Sequence, residues 1–115
     1  MEKSARQLFA GVGPEGHETR FAGTRGTVRF EIRGAGTWLL EIDDGRYAIH
    51  EGAGNADLVV KSDEEDFAHV MEGRHNFITA VLQNRLEASG DVGLLLKLQG
   101  VLRARSHERA TGEAG

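Results

Sequence analysis

The sequence predicts an α+β fold built on a five-stranded, mostly antiparallel sheet, and three observations predict it. From Thr27 onward, apolar and polar residues alternate in short runs bounded by Gly and Asp-Gly turns, which is the mark of half-buried strands. Other stretches repeat apolar residues at helical spacing between a Ser, Asp or Asn start and a Gly stop. The 16 glycines against one proline fall between the apolar runs, where turns are needed. With 115 residues the chain makes one domain, able to bury about two thirds of its unfolded surface.

Between Ser4 and Val12, Ala5, Leu8, Phe9 and Val12 form one helical stripe, ended by Gly11, Gly13 and Pro14. Gly11 to Gly16 satisfies the G-x-G-x-x-G spacing. That fingerprint needs a strand before it and free amides aimed at phosphate, whereas here a helix precedes and Pro14 removes an amide, so the match is chance. His17 to Gly26 reads as a polar connection.

Thr27–Arg33 alternates cleanly, with Val28, Phe30 and Ile32 on one face and Arg29, Glu31 and Arg33 on the other. Gly34 to Gly36 turns the chain into Thr37–Asp43, where Trp38, Leu40 and Ile42 share a face. Asp44-Gly45 is a strong hairpin signal leading into Arg46–His50, so three strands form a meander. Leu39 and Ala48 fall on the opposite face, as ordinary exposed apolar residues or as a dimer contact.

A turn or crossover at Gly52–Asn55 precedes a short strand near Ala56–Lys61. Ser62 to Glu65 has the spacing of a capping box, and its acids favour the positive end of a helix dipole. The helix Ser62–Glu72 follows, with Phe67, Val70 and Met71 inward, and Gly73 ends it in left-handed geometry. Asn76 caps a shorter helix whose Phe77, Ile78, Val81 and Leu82 face inward. Arg85–Ser89 is the fifth strand, entered through Asn84, a residue tolerant of positive φ.

From Val92 to Leu102 the polar side chains are Lys97 and Gln99, so this helix is apolar around most of its circumference and must be enclosed. Its length is about half of a bilayer span, so no transmembrane segment is predicted and the enclosure is protein, with or without a ligand. Gly90 allows the tight exit from the preceding strand, and Asp91 stands at the N-cap. Residues 103–115 lose the apolar period and read as a disordered tail, leaving a folded unit of residues 1–102.

Composition narrows the function classes. Eighteen acids against fourteen bases, without a basic patch interleaved with aromatics, exclude a nucleic-acid binder. The absence of cysteine excludes disulfides and thiolate metal sites, and no signal-peptide core opens the chain, so a reducing cytoplasm is the predicted location. The histidines His17, His50, His69, His75 and His107 have no metal-ligand spacing, and helix stabilisation explains the acids Asp63 to Asp66, so no metal or other cofactor is predicted. No nucleophile elbow or phosphate loop occurs, and no catalytic residue is assigned; Glu41 and Glu87 remain a pair able to meet across the fold.

The run Leu86-Glu-Ala-Ser-Gly-Asp-Val-Gly-Leu-Leu-Leu-Lys-Leu98 closely resembles the strand, Gly-Asp turn and apolar Lys-containing helix of the sterol carrier protein type 2 family, the non-specific lipid-transfer domains. The order of elements matches from about Gln7 to Leu102; Asn84 departs mildly, standing where the family usually has glycine. On periodicity alone the apolar stripes make a solid core. The resemblance implies instead that the helices cover one face of the sheet and leave an elongated apolar tunnel for acyl chains, sterols or similar lipids.

The apolar inventory then supplies the ligand-binding candidates Phe30, Ile32, Trp38, Leu40, Phe67, Phe77, Val81, Leu82, Leu95, Leu98, Val101 and Leu102. A polar ligand head would stay near the mouth, within reach of Lys97 or Gln99, although a lysine that snorkels to water is the simpler account of Lys97. The reading is a carrier of a hydrophobic small molecule (fatty acyl, isoprenoid, sterol-like or polyketide-like), without chemistry of its own, that leaves room for transient membrane contact and for a homodimer. The family's peroxisomal address does not carry over to a chain ending Glu113-Ala-Gly115. Two rivals stand beside it. One is an enzyme or pathway accessory, which a perturbed carboxylate or His50 inside a cavity would favour. The other is a ligand-free interaction module, which an exposed patch of Leu95, Leu98 and Leu102 would favour.

Overall fold

The computed structural model describes the backbone of residues 4–114 and the side chains of residues 4–104. The chain runs α1 (Ala5–Val12), β1 (Glu15–His17), a one-turn 3-10 helix (Thr19–Phe21), β2 (Arg25–Arg33), β3 (Gly36–Asp43), β4 (Arg46–Glu51), β5 (Leu58–Asp63), α2 (Glu64–Met71), α3 (Phe77–Leu82), β6 (Glu87–Gly90) and α4 (Val92–Ala114). The sheet order is β1-β4-β3-β2-β5-β6. The sheet is therefore mixed and six-stranded rather than five-stranded, with β2 and β5 parallel and the other neighbouring pairs antiparallel.

The central meander follows from alternation and turn chemistry. Asp44 and Gly45 take φ values of 49° and 94°, the two positive values that a tight hairpin between twisted strands requires. Register then carries the sequence pattern across the sheet: Phe30 pairs with Trp38 and Val60, and Val28 with Leu40 and Leu58. These inward rows are the floor of the core. The extra strand, β1, lies in the stretch read as a turn and polar connection. It is three residues long and pairs only with the β4 edge, so its identity depends on Arg46–Ala48, about thirty residues away, and not on a local pattern.

Four helices form where expected, with two corrections at their boundaries. Ser62 does not cap α2; β5 pairs with β2 through Asp63, which keeps Ser62 extended and buried, its hydroxyl donating to the Asp63 carbonyl at 2.8 Å. Asp63 is the cap, and its Oδ1 accepts the Asp66 amide at 2.8 Å. Glu64 is not spent on solvent: its Oε2 accepts the Ala5 amide of α1 at 3.0 Å, joining the starts of two helices. A capping box does occur, at Ser4 and Gln7 of α1. The turn residues Gly73 and Asn84 take φ values of 79° and 61°.

The second correction concerns α4. Its backbone remains helical to Ala114, through the segment expected to be a structureless tail; the side chains of residues 105–115 lie outside the described residues. Nor is α4 enclosed all round. Leu94, Leu98 and Val101 are buried, whereas Val92 and Leu96 are 64% and 58% exposed. A helix on the outside of a two-layer fold contacts protein along one stripe only, whatever its composition.

Leu39, read as an ordinary exposed residue or a dimer contact, is buried although it points away from the helices. The β4–β5 crossover must pass over the outer face of β3 and β2 to reach the far side of β2, and it brings Gly54 against the Leu39 methyl while Arg29 Nη1 donates to the Gly54 carbonyl at 2.6 Å. No local pattern announces that cover.

The junction of β6 and α4 is the tightest point. Gly90 has φ 123°, and a Cβ there would lie 2.2 Å from the Asp57 carbonyl oxygen. Gly90→Ala is expected to lower unfolding free energy by roughly 2–4 kcal/mol in urea titration, through positive φ and backbone collision together. Gly11→Ala, on an exposed turn of α1 with open space around the added methyl, is expected to change stability by at most about 1 kcal/mol and in the stabilising direction.

Candidate functional site

The inner face of the sheet is divided lengthwise. Along β2 the inward positions are Gly26, Val28, Phe30 and Ile32, and the two ends of this row are covered by different helices. Gly26 and Phe30 are about 13 Å apart along the strand.

At the Phe30 end, aromatic rings fill the space. Phe9 of α1 stacks on Trp38 at 4.9 Å between ring centroids and meets Phe30 at 5.5 Å and Phe67 of α2 at 5.2 Å; Phe30 and Phe67 are edge to face at 5.8 Å. The rings thus satisfy one another. Arg6, one residue before Gln7 on the exposed side of α1, lies 6.0 Å from the Trp38 ring and closes a bidentate pair with Glu51 at 2.8 and 3.0 Å. The hydrogen bond and charge of Glu51 raise the Arg6 guanidinium above its ordinary range.

At the Gly26 end, the absence of a side chain admits α4. A Cβ on Gly26 would stand 3.1 Å from a Leu94 methyl. Asp57 fixes the approach: its Oδ2 accepts the Thr27 amide at 2.9 Å and its carbonyl accepts the Asp91 amide at 2.8 Å. Asp91 then caps α4, its Oδ1 accepting the Leu94 amide at 3.0 Å. From this anchor α4 packs against β5, the 3-10 turn and α3.

The sequence-derived candidates sort accordingly. Phe30, Trp38 and Phe67 belong to the aromatic end, and Ile32 lies beyond Phe30 beside Ser62. Leu40, Phe77, Leu98 and Val101 are buried in the same hydrophobic cluster, with Val81, Leu95 and Leu102 packed against it and partly uncovered. Leu82 is the exception, 77% exposed. A helix beginning at Phe77 directs Phe77, Ala80 and Val81 inward, and Leu82 lies beyond that arc. Sequence reading missed Phe9 as the hub of the aromatic cluster, although its place in the α1 stripe was plain. It missed Leu94 for want of any signal that Gly26 was reserved for it.

Between α3 and α4 the seam is lightly held. Gln99 Oε1 accepts the Ile78 amide at 3.4 Å, a long bond across otherwise apolar surface. Lys97 is exposed. The acid–base candidates are not gathered at this site. Glu41 pairs with exposed His50 at 3.0 Å on the outer face, and Glu87 sits three strands away on β6, roughly 14 Å by strand spacing alone.

The model of the SCP-2 sterol transfer family matches residues 6–103. Hydroxysteroid dehydrogenase-like protein 2 of Xenopus tropicalis is 28% identical over 101 residues, 84% of this chain and 24% of the relative. The chain therefore spans about a quarter of the length of that relative. Among solved structures, the sterol carrier protein domain 2 of Helicoverpa armigera superposes with a TM-score of 0.63 at 24% identity, covering 72% of this chain and 70% of that one. Palmitated SCP2L2 from Aedes aegypti superposes with a TM-score of 0.67 at 18% identity, covering 87% and 95%. At these identities the structural likeness is one of fold.

The aromatic end is expected to govern stability. Phe9→Ala should cost about 3–5 kcal/mol in denaturant unfolding, since it removes a ring that touches three others. Arg6→Ala should cost no more than about 1 kcal/mol, because the pair it breaks is exposed.

Proposed function

Since the chain belongs to the SCP-2 sterol transfer family, we propose that it binds and carries a hydrophobic small molecule in an apolar tunnel between the sheet and the helices, without chemistry of its own. The observation that carries this reading is the seam between α3 and α4. Val81, Leu95 and Leu102 are partly buried and not fully enclosed, and the amide contact across the seam is long. Such a boundary can part at small cost and admit an apolar chain.

The proposed cargo site lies at the Gly26 end of the sheet, bounded by Leu40 below, Phe77 and Val81 of α3, and Leu95, Leu98, Val101 and Leu102 of α4. The aromatic quartet forms its closed end, where Phe30, Trp38 and Phe67 are stoppers and not the main wall. Gln99 stands at the mouth, where a ligand's polar head would replace its bond to the Ile78 amide. Residues 1–102 make up the carrier unit.

The energetics are adequate without any catalytic group. A chain of about sixteen carbons at roughly 0.8 kcal/mol per methylene supplies a gross drive on the order of 10 kcal/mol before ordering costs, enough for micromolar affinity. Such attraction is non-directional, so selectivity is broad and follows the length and shape of the space. Fatty acyl, isoprenoid, sterol-like and polyketide-like molecules all satisfy it. The palmitated Aedes aegypti protein of the same fold is consistent with an acyl ligand.

A second reading has one specific observation in its favour. Several of the curated relatives that match are named hydroxysteroid dehydrogenase-like protein 2, and the matched segment is a quarter of those chains or less. In that setting the domain would hold an apolar substrate for a neighbouring enzyme, with the same cargo site.

Native mass spectrometry of the purified chain, followed by solvent extraction, is expected to find an apolar molecule bound or to find that added palmitate binds one to one. In a fluorescent fatty-acid displacement assay, Leu95→Asp should weaken uptake by about tenfold or more while the far-ultraviolet circular dichroism is retained. Unchanged uptake by the folded variant would remove Leu95 from the site, and failure of every acyl, isoprenoid and sterol probe to bind would remove the carrier reading.

A further inference from the structure

The strand register lays the inward residues of the sheet in successive rows: Gly26–Ile42, then Leu58–Val28–Leu40, then Val60–Phe30–Trp38. The first and third of these rows are occupied. Over the third, Phe9, Phe30, Trp38 and Phe67 pack ring on ring, with centroids 4.9 to 5.8 Å apart. Over the first runs α4. It leaves its anchor on Asp57 beside β5, seats Leu94 against Gly26 of β2, and packs on the 3-10 turn, which the Glu18 amide ties to the Gly45 carbonyl of the β3–β4 hairpin at 2.7 Å. The helix therefore crosses the strands instead of following them. Between the two closures lies a single row, Leu58–Val28–Leu40, which also runs across the strands.

We propose that Leu94 on one side and the ring cluster on the other set the width of the cargo slot, so that it takes one unbranched hydrocarbon chain, laid across the strands along the middle row, and rejects fused rings. The flanking rows are four residues apart along a strand, about 13 Å. A single chain touching both flanks needs about 8 Å between wall carbons, two contacts of about 4 Å. The remainder is taken up by the inward reach of Leu94 and of the rings. A fused-ring plate lying flat adds about 4 Å, three bonds at about 1.2 Å of advance each, and leaves almost nothing for those side chains. Turned on edge, it lifts Phe77 and Val81 of α3 from the sheet by the same amount. Gly26 is what seats Leu94 at this depth, since a Cβ there would stand 3.1 Å from a Leu94 methyl. The apolar drive admits every cargo class named above, and the width of the row sorts them. The inference rests on the carrier reading and adds to it the residues that select.

The test titrates the full chain with two intrinsically fluorescent probes, the straight-chain cis-parinaric acid and the sterol dehydroergosterol. Wild type is expected to bind parinaric acid, and to bind dehydroergosterol at least about tenfold more weakly, the discrimination typical of a misfit in hydrocarbon size. Leu94→Ala removes wall carbons; it should tighten dehydroergosterol by about tenfold and weaken parinaric acid by about fourfold, the worth of one methylene contact. Phe67→Leu trades a ring for a smaller aliphatic group and should shift the preference in the same direction, which serves if circular dichroism shows that Leu94→Ala does not fold. Leu96→Ala removes the same atoms from the exposed side of α4 and should leave both affinities unchanged. Wild-type affinities for the two probes within about threefold of each other, less than one methylene is worth, overturn the proposal. So does a folded wall variant whose preference equals that of wild type. Binding of neither probe, to wild type or to either wall variant, sinks the carrier reading itself, whereas binding of both alike sinks the width selection alone.

Discussion

The arrangement depends on one close approach, where the backbone of Gly90 and Asp91 meets Asp57. A side chain at Gly90 would collide with the Asp57 backbone, and the Asp57 carbonyl holds the Asp91 amide while its carboxylate holds Thr27 of the central strand. These contacts fix where α4 begins and at what height it passes over the sheet. Which of its faces is buried follows from that. Leu94 drops into the space left by Gly26, Leu98 and Val101 follow on the same stripe, and the opposite stripe is left in water.

The interior is shared unequally between the two ends of β2. Four aromatic rings close the Phe30 end by packing on one another, an arrangement that gains contact energy beyond area burial and leaves few adjustable parts. The α4 end is aliphatic, bounded by a short helix and a seam with one long amide contact. Rigidity at one end and looseness at the other is a sensible division for a fold that must keep its shape while admitting a guest. The polar pairs Glu41–His50 and Arg29–Glu31 lie on the other side of the sheet and take no part in it.

Much of the fold was legible because it is encoded in neighbours. Alternation at Thr27–Arg33, the Asp44-Gly45 turn, the Asn76 and Asp91 caps and the tolerance of Asn84 for positive φ each rest on residues a few positions apart. What escaped was encoded across distance. β1 is a strand because β4 offers it an edge, Ser62 is a strand residue because β2 extends that far, and Leu39 is buried because a crossover passes over it. The candidate site was legible as a set of apolar residues and illegible as a geometry: the reading of Leu82 as inward failed because the short helix, starting at Phe77 as expected, buries only the arc of Phe77, Ala80 and Val81, and Phe30, Trp38 and Phe67 proved to be partners of Phe9.

The sequence by itself determined the central strands and the starts of most helices, where most turns fall, and that α4 carries more apolar surface than one contact stripe needs, since periodicity, caps and hydropathy are local quantities. Only the tertiary structure decided which of those apolar residues meet each other, which meet water, and which glycine yields its place to a leucine. Burial depends on the distance between elements, and that distance is set by backbone contacts such as Gly90 on Asp57, between residues thirty-three positions apart that carry no shared pattern.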